Sequence, residues 1–161
     1  HEVETALKAI QKVKPEVACL AELTPKEFNE VKYVLSGVVS KRAEHVVMEC
    51  KRVQDAVEAL KAGDLVELGR LLNESHYSLR DLYEVTGREL DTLSALARKE
   101  TGCLGSRMIG AGFGGCTISI VKKSAVEGFI RRVGKAYFDA IGYRASFYET
   151  SIEDGITVQK L

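Results

Sequence analysis

The 161-residue chain has 45% hydrophobic and 29% charged residues with only two prolines, the composition of a folded globular protein and not of a disordered or fibrous one. At this length about 70% of the unfolded surface can be buried, enough for one domain with a helical appendage. Lys plus Arg equals Asp plus Glu at 23 each, so no net field draws the chain to nucleic acid or to an anionic membrane. Apolar stretches such as Val38-Val39 fall far short of the roughly 20 residues that cross a bilayer.

The chain opens on His1-Glu2-Val3, without an initiator Met or a signal-peptide pattern, and reads as a cut within a longer protein. Residues 2–12 carry a helical pattern. Thr24 and Glu27 form a capping box with Pro25 at the first helical position, predicting a helix near 25–35 that buries Phe28, Val31 and Leu35. From about 40 to 62, Ala43, Val46, Val47, Cys50, Val53, Val57 and Leu60 recur at helical spacing, and Gly63 closes the segment as a left-handed terminator. Asp64 then caps a helix to about 82 with Leu65, Leu68, Leu72, Leu79 and Leu82 inward.

A second capping box, Thr86/Glu89, predicts a helix over 87–100 ending at Gly102, and a third, Ser124/Glu127, starts a helix with Val126, Phe129, Ile130, Val133, Tyr137 and Ile141 inward, stopped by Gly142. Between them, Ser106-Arg107-Met108-Ile109 leads into a glycine cluster, and the alternation of Cys116-Thr117-Ile118-Ser119-Ile120 predicts a half-buried strand. Two more strands are expected at about 145–151 and 156–160. The reading is an α+β chain, with a helical region over 1–84 and a ferredoxin-like unit over 85–161 whose antiparallel sheet carries helices on one face.

Cys19, Cys50, Cys103 and Cys116 are widely spaced, and two fall where apolar periodicity places core positions, so reduced, buried thiols in a cytoplasmic protein are expected. No CxxC pair occurs, and His1, His45 and His76 never join a cysteine at zinc spacing, so no metal site is predicted.

Gly110-Ala111-Gly112-Phe113-Gly114-Gly115 is the one local feature with chemical promise, because glycines let backbone amides approach an anion unobstructed. It contains GxGxxG, but the dinucleotide fingerprint needs a strand before and a helix after, and here a strand follows. No Gly-Lys-Ser/Thr closes the run, which excludes a Walker A loop. Two readings stay open on the residues alone: a structural glycine hairpin, or a loop facing a phosphate or substrate. Asn73, His76 and Arg80 share one helical face by their three- and four-residue spacings, which fits either a cleft-facing polar patch or ordinary hydrogen bonding. Arg107 fits either a charge near a triphosphate or a structural salt bridge.

The run Gly105-Ser106-Arg107-Met108-Ile109-Gly110-Ala111-Gly112-Phe113-Gly114-Gly115-Cys116 resembles the third conserved motif of the GHMP kinases in its galactokinase form. The stretch from Glu74 to Thr86, followed by Glu89-Leu90-Asp91, resembles the segment that precedes that motif, and Ser146-Phe147-Tyr148 also matches. The match departs at Ile109, where a Thr or Ser is usual.

The resemblance implies a C-terminal domain from an enzyme that transfers the γ-phosphoryl group of ATP, with Mg²⁺, to the anomeric hydroxyl of α-D-galactose. The family's acidic sugar-binding motif, serine-rich phosphate loop and catalytic Asp are absent from this sequence, so no catalytic residue is expected in it. Gly110, Gly112, Gly114 and Gly115 are the implied nucleotide- and sugar-side residues, with Arg107 and His76 beside them. The implied partners are galactose, ATP and a missing N-terminal domain, with self-association of the fragment through the face that domain would cover. Two other readings are a non-catalytic regulator that binds the same ligands and a stand-alone ferredoxin-like ligand-binding module.

Overall fold

The computed structural model describes residues 1–150. Helix α1 (Glu2–Ile10) places Glu2 and Glu4 in its first turn and Lys8 in its last, the arrangement that opposes the helix dipole, and buries Ala6 and Ile10. Helix α2 (Pro25–Val31) starts at the expected Thr24/Glu27 box, the Thr24 hydroxyl accepting from the Glu27 amide. The Lys14 ammonium, 2.8 Å from Glu27, together with the Thr24 amide and hydroxyl, pulls the Glu27 carboxyl down to about 2. A 3-10 turn, Lys32–Val34, carries the segment to Leu35. Helix α3 (Gly37–Ala62) ends at Gly63, left-handed at φ 69°, and α4 (Leu65–Ser78) begins where the Asp64 carboxylate accepts from the Glu67 amide at 2.9 Å. Ala6, Ile10, Phe28, Ala43 and Val47, each fully buried, form the centre of the core shared by α1, α2 and α3.

α4 does not run on to residue 82 as a regular helix. It passes into one π-helical turn, Leu79–Tyr83, that ends on Glu84 in the left-handed region at φ 60°. Helix α5 (Arg88–Lys99), the antiparallel strands β1 (Cys103–Ile109) and β2 (Cys116–Val121), and helix α6 (Val126–Ile141), stopped by Gly142, complete the described chain. Ala97 of α5 and Phe129 and Val133 of α6 share a core with Cys103 and Val121 at the sheet's end. The architecture is α+β, as expected. Among the described residues no helix is long and apolar enough to cross a membrane.

The seam between the helical half and the sheet is a backbone contact. A Cβ built on Gly69 of α4 would lie 2.1 Å from the Leu104 carbonyl oxygen, and one on Gly105 of β1 would lie 2.2 Å from the Gly69 carbonyl oxygen, so only glycine fits on either side. One and two turns further along α4, side chains reach the edge of β1 that β2 does not cover. The Asn73 carboxamide oxygen accepts the Ser106 amide at 2.9 Å, and His76 Nδ1 accepts the Met108 amide at 3.2 Å. From α5, the Ser94 hydroxyl and Arg98 donate to the Ser106 carbonyl at 2.9 and 3.1 Å. Helix side chains thus do for β1 what a further strand would otherwise do, leaving no bare edge there.

Several expectations are corrected. Thr86/Glu89 is not a capping box: Gly87 at φ 97° is the N-cap, and Thr86 is buried one residue earlier. Ser124/Glu127 is not one either, because Lys123–Ala125 is a 3-10 turn and α6 starts after Ala125. Val53, Val57, Leu60 and Leu65, assigned to inner faces, are exposed because that end of the α3–α4 hairpin has no third layer against it among the described residues; Leu79 is buried as expected, while Leu71 is buried and Leu72 only half-buried. Cys19 and Cys116 are exposed, and Cys50 and Cys103 only partly covered; all four are free. Residues 145–150 form no strand, since Phe147 instead packs edge-on against Phe129 of α6 at 6.5 Å. Residue 151 and the strand expected at 156–160 lie outside the described residues.

The seam makes a direct prediction. Gly69→Ala should cost about 3 kcal/mol in urea unfolding, the upper end for overpacking against backbone that cannot give way. Gly63→Ala, at a left-handed site with open space around it, should cost only about 1–2 kcal/mol.

Candidate functional site

The glycine run is the turn between β1 and β2, whose register pairs Ile109 with Cys116 at its base. Gly110, Gly112, Gly114 and Gly115 all have positive φ, from 83° to 123°, which explains four glycines in six residues. They divide into two kinds. A Cβ on Gly112 would lie 2.0 Å from the Val85 carbonyl oxygen, whereas Gly110, Gly114 and Gly115 have open space around the position a Cβ would take. Gly112 therefore packs the loop onto the body of the protein, and the other three present bare backbone to solvent. The loop encloses an open depression of about 560 Å³ lined by residues 109–116.

Phe113 is the exception within the run: it holds φ 58° although it is not glycine, and its ring is 80% exposed. Its amide donates to the Val85 carbonyl at 2.7 Å, fixing the loop tip to the residue after the left-handed Glu84. A second depression, of about 300 Å³, is also bordered by Phe113 and lies where Arg42, Tyr83, Glu84 and Val85 meet the start of α1.

Asn73 and His76 share a face as expected, and that face is turned into β1. His76 is fully buried, with Nε2 3.2 Å from Asp91 Oδ1, although the two atoms are misaligned for a hydrogen bond. Because Nδ1 accepts the Met108 amide, the neutral ring carries its proton on Nε2. Burial pushes the His76 pKa down, and the nearby Arg98 charge adds to this against the pull of Asp91. The structure does not bring Arg80 to this face. The π-helical turn shifts its phase, and it lies exposed, paired with Asp81 at 2.7 Å and above the Tyr77 ring. Arg107 donates through Nε to the Met108 carbonyl at 2.9 Å and lies 3.4 Å from Glu49 of α3, which also takes Arg52 and Ser75. Ser146 and Tyr148 are exposed, and Phe147 is half-buried.

The pattern of the family described as GHMP kinases C terminal matches residues 56–140, more than half of the chain. The chain belongs to the GHMP kinases. It is 54% identical over 96% of its length to the galactokinase of Clostridium beijerinckii and 53% identical over 96% to that of Clostridium acetobutylicum, covering 40% of each. A crystal structure of Lactococcus lactis galactokinase complexed with galactose superposes with a TM-score of 0.87 at 45% identity, over 91% of this chain and 38% of that one. This GHMP kinase chain thus spans about 40% of the length of the curated galactokinases it matches.

Sequence reasoning passed over Gly69 and Arg42, and it gave no individual role to Val85 and Asp91, which lie within the matched stretches. An isolated glycine inside a strongly helical pattern was the available signal for Gly69, since such a residue usually marks a close approach. No local pattern marks Val85, whose part in the site is played by its carbonyl.

Two outcomes follow from this geometry. Gly112→Ala should destabilise the chain by about 3 kcal/mol, combining a backbone clash with a left-handed conformation, while Gly110→Ala should cost about 1–2 kcal/mol; thermal or urea unfolding separates them. Stability should also fall in mild acid. His76 and His45, which sits 2.9 Å from the Ser78 hydroxyl, are both held below the ordinary value of 6.5, chiefly by burial. The unfolded chain therefore takes up protons first, so the stability they provide is complete above pH 6.5 and is lost as pH falls through their depressed values. His76→Gln, which keeps an acceptor for Met108 but does not titrate, should flatten the dependence of the urea midpoint on pH.

Proposed function

We propose that this chain works as part of a galactokinase of the length of its relatives, in which the γ-phosphoryl group of ATP is transferred to the anomeric hydroxyl of α-D-galactose to give galactose 1-phosphate. The observation that carries this reading is the identity of 54% to a galactokinase along 96% of the chain, with the glycine loop intact.

Phosphoryl transfer depends on positioning and on charge stabilisation around the transferring group. The loop is suited to the first of these. Gly110, Gly114 and Gly115 offer backbone that a phosphate or sugar hydroxyl can approach without meeting a side chain, and Gly112 holds that backbone in place. Arg107, near the base of the loop, contributes positive charge partly offset by Glu49. His76 acts from behind β1 by fixing the Met108 amide.

A magnesium ion accompanying ATP is held chiefly by phosphate oxygens and one or two carboxylates, and in this reading those carboxylates belong to the remainder of the longer protein. In this reading the chain alone shapes one wall of a site and lacks the acid–base chemistry, so the 161-residue piece does not turn over. Its four free thiols favour the reducing cytoplasm as the place of action. The exposed strip of Val53, Val57, Leu60, Leu65 and Val66 favours self-association of the isolated chain.

The test compares a protein of the relatives' length carrying this chain with the 161-residue piece, each given ATP, Mg²⁺ and galactose. The longer protein is expected to form galactose 1-phosphate, the piece is not, and Gly114→Val in the longer protein should lower kcat/KM by about tenfold or more by obstructing the loop. Turnover by the piece alone would contradict the reading. So would a longer protein that binds both ligands without turnover, which is the behaviour of a regulator.

A further inference from the structure

Arg42 lies on α3, outside the glycine loop, with only 11% of its side chain exposed. Its guanidinium is divided among three acceptors. Nε donates to Glu2 of α1 at 2.9 Å, one terminal nitrogen donates to the Leu82 carbonyl within the π-helical turn, and the other donates to Glu84 at 2.8 Å. Lys41 adds a second cation to Glu84 at 3.2 Å. Every bond Arg42 makes therefore bears on the turn that closes α4 or on the helix beside it.

That turn ends in a conformation that needs support. Glu84 is left-handed at φ 60°, a region that non-glycine residues rarely occupy and keep only where the surroundings hold them. The following residue, Val85, is fixed by its amide donating to the Leu79 carbonyl at 3.1 Å, and its own carbonyl then points at the loop. Phe113 donates to that carbonyl at 2.7 Å, and Gly112 packs so closely against it that a Cβ would fall 2.0 Å away. A change in the backbone angles at Glu84 would break the bond from the Val85 amide to Leu79 and redirect the Val85 carbonyl, and the Phe113 amide and the loop tip would move with it. Arg42 also gives a guanidinium fork what a lysine could not, since three acceptors in different directions need its planar set of donors.

We propose that Arg42 is a positioning residue for the glycine loop, acting through Glu84 and the Val85 carbonyl to set the place of Phe113 and of the open glycines beside it. The ligand it serves is the phosphorylated or sugar group that meets Gly110, Gly114 and Gly115, and in that respect the inference rests on the proposed kinase function. The clamp itself rests only on the geometry.

The experiment uses the protein of the relatives' length and two readouts, amide hydrogen exchange at Phe113 and steady-state kinetics with ATP and galactose. Arg42→Ala should speed Phe113 exchange by about tenfold or more and raise KM for at least one substrate by about tenfold, with a smaller change in kcat. Arg42→Lys, which keeps the charge but not the three-way fork, should fall between the two. If Arg42→Ala does not fold, Glu84→Gln decides the matter by the same readouts. A folded variant with lowered melting temperature but parental Phe113 exchange and parental KM values would overturn the proposal, because Arg42 would then only stabilise the fold. Should the parent phosphorylate no galactose, the kinase reading falls, and Phe113 exchange alone decides the clamp: faster exchange supports it and unchanged exchange overturns it.

Discussion

The contact between α4 and the outer edge of β1 is the constraint on which the rest of the molecule depends. Gly69 and Gly105 let two backbones approach to a distance that no side chain permits, and that approach brings Asn73 and His76 within reach of the Ser106 and Met108 amides. Each of those amides, if buried without a partner, would cost about 1–3 kcal/mol. The same helix thus seals a strand edge and fixes the direction in which β1 enters the glycine loop. Ser94 and Arg98 of α5 complete the arrangement by satisfying the Ser106 carbonyl, so the strand is held from two helices at once.

The loop is held at both ends by different means. At its base the β1–β2 pairing of Ile109 with Cys116 sets the register, and at its tip the Val85 carbonyl takes the Phe113 amide. Between these anchors lie the three glycines that face open space. An unanchored run of this composition would have great conformational freedom, and a ligand would have to order it on binding. Anchoring transfers much of that ordering cost to folding, which under the proposed function is the advantage of a preorganised wall for a reaction that depends on positioning.

Much of this was legible in the sequence, and the failures share a physical cause. The six helices expected along residues 2–82 and 87–141 exist because apolar periodicity and local terminators such as Gly63 and Gly142 act within a single element. The β1–β2 hairpin was legible for the same reason, from strand alternation beside glycines. What could not be read were features decided by packing between distant segments. Thr86 and Ser124 carry the capping-box pattern, but a glycine N-cap in one case and a 3-10 turn in the other moved the helix starts. Val53, Val57 and Leu60 follow helical spacing without a partner layer in the described chain. His76 carries the chemistry of a site residue and is spent on a backbone amide, whereas Val85 has no such chemistry and supplies the loop's anchor.

Site-resolved native-state hydrogen exchange tests the central claim most directly. If α4 side chains seal the β1 edge, the Ser106 and Met108 amides should exchange only through global unfolding, with protection equal to that of the most stable core amides and tracking denaturant in the same way. Rapid exchange at either amide, at the rate of an open strand edge and independent of denaturant, would contradict the account.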